Sequence, residues 1–276
     1  MTTRYESRVN YEARKKKLER ILSEQGTGLM LGGIMATDMR IAKGAYNGGC
    51  RIFEPNHPAM ALQMGLYGVT TMNEAEAIRH LVPLERMTCA VEGLRATLGD
   101  DIFITCAARG AFTEEQPVPF TQEDAFKIAY AGADCLHTHK AHIEDVREIA
   151  EYAHNAGLLC EAYISAYDTF GVQAPTDELL LQAIRDYEDA GVDLLGLCTG
   201  MIYQGQSATG FSDECLHRFD LFLKNTHVVK VLEGGIKPGN IGAVKKLGCD
   251  ILVMSTALDN ILRDTTADTV KGLLEM

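Results

Sequence analysis

Apolar residues in this chain come in short continuous runs, each stopped by polar residues, and not in strict alternation. The runs are Gly28–Met35 (GLMLGGIM), Cys50–Asn56 (CRIFEPN), Asp101–Ala108 (DIFITCAA), Cys135–His139 (CLHTH), Leu158–Tyr163 (LLCEAY), Leu194–Gly200 (LLGLCTG), Val228–Ile236 (VVKVLEGGI) and Ile251–Leu258 (ILVMSTAL). Continuous runs of this length suit parallel strands buried on both faces. Five of them share a lead-in: NGG before Cys50, AGAD before Cys135, NAG before Leu158, AGVD before Leu194 and LGCD before Ile251. The glycine in that phrase is a helix C-terminal signal, because it enters the left-handed region without steric cost.

Between the runs the apolar spacing shifts to three and four residues, as in Glu144–Asn155 (EDVREIAEYAHN) and Asp177–Ala190 (DELLLQAIRDYEDA), which predicts amphipathic helices. Thr176 is placed to cap the second of these, and Pro238 to sit in the first turn of the helix after the seventh run. A further helix is predicted in front of the first strand, at roughly Tyr11–Ser23, and Met72–Gly99 holds enough residues for two more. Eight strand–helix units predict an α/β fold, a closed (β/α)8 TIM barrel with an extra N-terminal helix, better than a doubly wound sheet. The first strand is followed by GGIMATDM and not by a G-x-G-x-x-G turn, which argues the same way. No linker rich in Pro, Gly or Ser interrupts residues 1–276, so a single domain is expected. The polar, glycine-rich Tyr203–Asp213 segment reads as either a lid over the barrel mouth or a plain surface loop.

Composition narrows the function classes. Hydrophobic residues are 46% and charged residues 23% of 276, and the formal net charge is −12. That charge speaks against a broad nucleic-acid surface, and Arg14-Lys15-Lys16-Lys17 lies among Glu12, Glu19 and Glu24 on a helix, as a solvated face would. No apolar run is long enough to cross a bilayer, and the charged N-terminus lacks the apolar core of a secretory signal. A cytoplasmic protein without nucleic-acid or membrane partners is expected. Six of the eight cysteines (50, 106, 135, 160, 198 and 249) lie in or beside apolar runs and none forms a C-x-x-C pair, the pattern of small buried hydrophobes. The helices' apolar surface would support a homo-oligomer.

Candidate chemistry concentrates where strands end, since barrel catalysis is built there. In Val231–Leu258 (VLEGGIKPGNIGAVKKLGCDILVMSTAL) the last two strands stop at Gly234-Gly235 and at Ser255-Thr256. Glycines let peptide N–H groups approach an anion closely, and an adjoining helix N-terminus adds favourable partial charge. GGIKPGNI followed by GCDILVMSTAL resembles the end of the ribulose-phosphate-binding barrels: the pentulose-phosphate and aminosugar-phosphate epimerases, the ketogulonate-phosphate decarboxylases and the tryptophan- and histidine-pathway barrels. The resemblance implies that Gly234, Gly235, Ser255 and Thr256 hold a phosphate. Ser255 departs from the glycine usual in that group, and the decarboxylases' Asp-x-Lys-x-x-Asp motif is absent.

The remaining strand ends offer Glu54, Asn56 and His57 after strand two, Cys106 and Arg109 after strand three, and His137, His139 and Lys140 around strand four. Strand five adds Glu161, strand six Cys198 and Thr199, and strand seven Glu233. His137 and His139, two apart, face the same side of their strand. With Glu161 they could ligate a divalent metal or, with Glu54, form an acid/base set without one; no cofactor is otherwise indicated. Glu54 and Glu233 each end an apolar strand, where burial raises a carboxyl pKa, unless Arg109 or Lys230 pairs with them. Asn56, Arg109, Lys140 and Glu233 are candidate substrate contacts. The expected activity is proton transfer next to a carbonyl on a small phosphorylated sugar or hydroxy-acid, as in an epimerase or isomerase. An aldolase or decarboxylase on a similar substrate, a metal-dependent hydrolase and a non-catalytic barrel sensing a phosphorylated metabolite remain open.

Overall fold

A computed structural model describes residues 4–112, 118–165, 172–198 and 211–276. The apolar runs form eight parallel strands: β1 (Gly28–Leu31), β2 (Ile52–Phe53), β3 (Phe103–Ala107), β4 (Cys135–Thr138), β5 (Leu159–Ser165), β6 (Leu194–Cys198), β7 (Val229–Glu233) and β8 (Ile251–Met254). Each pairs with the next and β8 pairs back with β1, which closes a (β/α)8 barrel. A two-residue strand, Val172–Gln173, adds to the end of β5.

The pleat sorts side chains between two apolar layers. Met30, Ile52, Phe103, Cys135, Leu159, Leu194, Val231 and Ile251 pack together as one cluster that also takes in Leu18 and Ile21 of the N-terminal helix. That helix, Arg4–Gln25, closes the N-terminal end of the barrel. Alternate strand residues such as Leu136, Cys160, Ala162 and Leu195 belong to the larger cluster shared with the surrounding helices. The six strand-associated cysteines are buried, as expected.

The recurring Gly-x-Asp phrase has a structural cause. Asp134 precedes β4 and accepts a hydrogen bond from the Ile104 N–H of β3 at 2.9 Å. Asp193 precedes β6 and accepts from the Cys160 N–H of β5 at 2.9 Å, and Asp250 precedes β8 and accepts from the Lys230 N–H of β7 at 2.8 Å. Each aspartate therefore ties its strand to the preceding one. Lys17 and Arg95 pair with Asp134 at 2.7 and 2.8 Å, while Tyr11 and His154 donate to Asp193. Two of these partners, Tyr11 and Lys17, come from the N-terminal helix, so the braces also hold that plug in place.

Most helices fall where spacing put them. Thr176 caps Asp177–Asp189 by accepting from the Leu179 N–H, and Ile143–Asn155 is amphipathic. Three expectations change. The first strand stops at Leu31 and not Met35, because Gly33 adopts φ 65°, ψ −146°, and Ile34–Thr37 is helical. Pro238 lies in a turn ahead of a five-residue helix, Ile241–Lys245, and not inside its first turn; the Asn240 side chain shapes that turn, accepting from the Lys237 N–H and donating to the Gly235 carbonyl. The N-terminal helix is longer than Tyr11–Ser23. Most of the Tyr203–Asp213 segment, with Thr199, lies outside the described residues.

Candidate active site

The C-terminal ends of the strands bring the expected groups together. His137 on β4 and Glu161 on β5 are register partners, and Glu161 Oε2 lies 3.4 Å from His137 Nδ1. Glu54, just past β2, places Oε1 3.8 Å from the same nitrogen. His139 lies beside His137, with ring centroids 4.6 Å apart, and its Nε2 is 3.9 Å from Glu233 Oε2. Two imidazoles and three carboxyls thus share one end of the barrel.

Residues that spacing did not single out fix this arrangement. Glu161 is fully buried and accepts from the Thr105 hydroxyl at 2.6 Å and the Tyr163 hydroxyl at 2.6 Å. The Tyr163 ring stacks on His139 at 4.5 Å, nearly parallel. It fits because Gly196 on β6 has no side chain: a Cβ there would fall 2.2 Å from the ring. A lone glycine inside an apolar strand was the available signal of close approach. Gly32 works similarly, since a Cβ there would press on Ser255 Cβ at 3.2 Å, Asn56 Nδ2 at 3.3 Å and Glu54 Oε2 at 3.3 Å. His57 is wholly buried, edge-on to Phe112, with no hydrogen bond to either ring nitrogen.

The electrostatics follow from burial without full pairing. Burial lifts the Glu54 carboxyl to about 7, with His137 pulling it down and Glu161 pushing it up. Burial, reinforced by Glu54, lifts Glu233 to about 8. Burial opposes charge on His137, yet Glu54 and Glu161 outweigh it and raise the imidazole to about 9. Burial also opposes ionisation of Glu161, but His137 and the two hydroxyl donors hold that carboxyl below its ordinary value. His139 is pushed well down by burial and by the charge on His137, and burial with Arg79 takes His57 down to about 3. Near neutral pH the site therefore pairs an imidazolium at His137 with a carboxylate at Glu161, beside two carboxyls poised to exchange protons.

A cavity of about 330 Å³ adjoins this cluster, lined by Glu233, Gly234, Gly235, Ser255, Thr256 and Asn260 among others. Gly234 and Gly235 both take positive φ, 92° and 64°, which exposes the turn's peptide groups. The Thr256–Leu274 helix starts here with no side chain capping its first N–H groups, and the Thr256 hydroxyl is buried without a partner. An uncapped helix N-terminus beside a glycine turn is suited to an anion. Glu233 belongs to both features, joining the cavity to His139.

Other candidates stand apart from this centre. Arg109 donates to the His80 carbonyl at 2.7 Å, so it is neither in the cavity nor the partner of Glu54. Lys230 sits at the start of β7, braced through its N–H to Asp250, and its side chain is placed with Asp193 and Asp250 around another hollow. Lys140 is half-exposed just past β4, its N–H bonded to the Thr138 hydroxyl. Asn56 caps the following helix through Ala59 and donates to Glu54 at 3.4 Å. Cys106 is buried and burial pushes its thiol up to about 12, unsuited to a nucleophile. A larger groove of about 700 Å³ beside the N-terminal helix, lined by Arg14, Glu85, Glu92 and Lys127, brings none of the imidazoles.

The expected metal ligands His137, His139 and Glu161 lie close to one another at this end of the barrel. Both Glu161 oxygens accept from hydroxyls, those of Thr105 and Tyr163, and His139 Nε2 lies 3.9 Å from Glu233 Oε2. Among the described residues no three His, Cys, Asp or Glu side chains converge as a metal-binding group.

Comparison with known proteins supports the architecture. No protein-family model matches the chain, and no curated protein matches it. Among solved structures it is similar to a mutant tryptophan synthase alpha-subunit from the hyperthermophile Pyrococcus furiosus, with 12% identity over 87% of this chain and 91% of that one, at a TM-score of 0.63. It is also similar to 2,3-dimethylmalate lyase, a PEP mutase/isocitrate lyase superfamily member, with 13% identity over 95% and 87% of the two chains and a TM-score of 0.65. The class defined here is a closed (β/α)8 barrel. At this identity the likeness extends to the fold alone.

Proposed function

We propose that this chain is an enzyme that moves a proton next to a carbonyl in a small phosphorylated sugar or hydroxy-acid, an epimerase or isomerase. The observation that carries the reading is the position of Glu233. One carboxyl lines the anion-suited cavity and also reaches the imidazole cluster. A phosphate seated on the Gly234-Gly235 turn and the Thr256 helix end would put the substrate's other end before His137 and Glu54. The resemblance of Val231–Leu258 to ribulose-phosphate-binding barrels supports the same placement.

The chemistry then divides among the side chains. Glu54, ionised above a pKa of about 7, accepts the proton from the carbon beside the carbonyl. The C–H pair moves into a carbon–carbon double bond, and the carbonyl π electrons move onto oxygen. The His137 imidazolium, held by Glu161, stabilises that oxyanion. Glu233, protonated below about 8, returns a proton to carbon or oxygen. Protonated Glu233 also tolerates a neighbouring dianion, which an ionised carboxylate would repel.

The test is a panel of phosphorylated aldoses, ketoses and hydroxy-acids in deuterated water, followed by NMR. Deuterium appearing at the carbon beside the carbonyl, with the carbon skeleton intact and the signal lost in Glu54→Gln, is the expected result. Carbon–carbon cleavage would assign the same site to a lyase, and tight binding with neither outcome would make the barrel a sensor.

A further inference from the structure

We propose that His57 is a specificity-determining residue that hydrogen-bonds a hydroxyl of the substrate, in the place that the Phe112 ring fills in this structure. The assignment rests on the function proposed above and extends it to the end of the substrate remote from phosphate. His57 opens the His57–Met64 helix, where the Asn56 side chain accepts from the Ala59 N–H and Pro58 pre-sets the first turn. Pro58, Ala59, Met60 and Ala61 are buried with it, so a fixed frame presents the imidazole and the ring cannot swing out to water. His57 is wholly buried, and neither ring nitrogen has a hydrogen-bond partner. A neutral imidazole has one donor and one acceptor to satisfy, and leaving both unmade inside a protein costs stability. An apolar ring would pack there without that cost. The idle nitrogens therefore point to a ligand and not to the core.

The surroundings of His57 say what that ligand is. Phe112 stands among three imidazoles, its ring centroid 5.9 Å from His57, 6.0 Å from His137 and 4.8 Å from His139. It belongs to the turn after β3, neither strand nor helix, and is itself buried. His137 and His139 are buried too, so a substrate that reaches them displaces this ring, and the space it leaves opens on His57. On its other side His139 approaches Glu233, which lines the anion cavity. The order across the barrel mouth is phosphate cavity, proton-transfer cluster, His57. The group that meets His57 therefore lies on the side of the carbonyl away from the phosphate. Burial, and then the charges on Arg79 and His137, keep the His57 ring uncharged. A ring that both donates and accepts matches a hydroxyl, which does both, better than a carboxylate or phosphate, which only accepts. The substrate class narrows to a ketone phosphate with a hydroxyl on the carbon beyond the carbonyl.

Two ketose phosphates that differ only in that hydroxyl, D-xylulose 5-phosphate and 1-deoxy-D-xylulose 5-phosphate, test this by calorimetric titration of the full chain carrying Glu54→Gln, which blocks turnover. The expected result is that the hydroxylated probe binds about 10- to 100-fold tighter than its deoxy counterpart. Adding His57→Phe should remove the difference by weakening the hydroxylated probe alone, and His57→Gln, which keeps a donor and an acceptor, should restore part of it. Without ligand, the His57→Phe chain should melt no lower than the wild type, because it loses two unmade hydrogen bonds and keeps a ring of similar size. Equal affinities for the two probes, a preference that survives His57→Phe, or a melt lowered by His57→Phe overturns the assignment and leaves the proposed function standing. Binding of neither probe overturns the phosphate reading, and the assignment with it.

Discussion

Acidic residues occupy both ends of this barrel, and their surroundings differ. At the N-terminal end Asp134 accepts a backbone N–H and pairs with Lys17 and Arg95, and Asp193 accepts a backbone N–H and pairs with His154. At the C-terminal end Glu54 has one amide donor at 3.4 Å and an imidazole at 3.8 Å. Saturated carboxylates hold a fold together; buried, under-partnered ones are retained at a cost to stability and are poised for chemistry. The same residue class thus serves rigidity at one end and proton traffic at the other.

Substitutions should separate the two ends. Glu54→Gln should lower kcat by about 10²- to 10⁴-fold, the usual worth of a general base, without lowering the melting temperature; steady-state rates and a thermal melt read both. Asp134→Ala should do the reverse. It takes the acceptor from Lys17 and from the Ile104 N–H, which costs about 3–5 kcal/mol in denaturant unfolding, while the folded fraction keeps its turnover. Gly196→Ala should fall between them, because its methyl group overlaps the Tyr163 ring. Overpacking costs about 1–3 kcal/mol, and freeing Tyr163 from Glu161 should also depress kcat.

The pH profile sharpens the contrast. With Glu54 ionising at about 7 and Glu233 at about 8, kcat/KM should be bell-shaped, falling below pH 7 and again above pH 8. Stability carries its own sign. Glu54 is raised above its unfolded value near 4.5, so the folded state binds more protons, and stability is lost as pH rises from about 4.5 through 7. Glu54→Gln should therefore melt higher than wild type at pH 8–9 and show little difference at pH 4.

Much of the architecture was legible because continuous apolar runs ending in polar residues are what a doubly buried parallel strand requires. The strand-end residues Glu54, His137, His139, Glu161 and Glu233 were legible for the same reason. What escaped depends on register. Thr105 and Tyr163 matter only because β3, β4 and β5 align them on Glu161, and Gly196 only because β6 lies beside Tyr163. Arg109 reads as a mouth residue but turns to the His80 carbonyl. The Asp of Gly-x-Asp was visible as a repeat, yet its bond to the preceding strand is a tertiary fact.

The central claim is that the anion cavity and the proton-transfer cluster form one site. The direct measurement is a crystal structure with phosphoglycolate, whose phosphate and carboxylate would span the two halves. The account expects the phosphate against the Gly234-Gly235 and Thr256 amides and the carboxylate end facing His137. Phosphate bound in the groove beside the N-terminal helix, or a cavity left empty at saturating ligand, would contradict it.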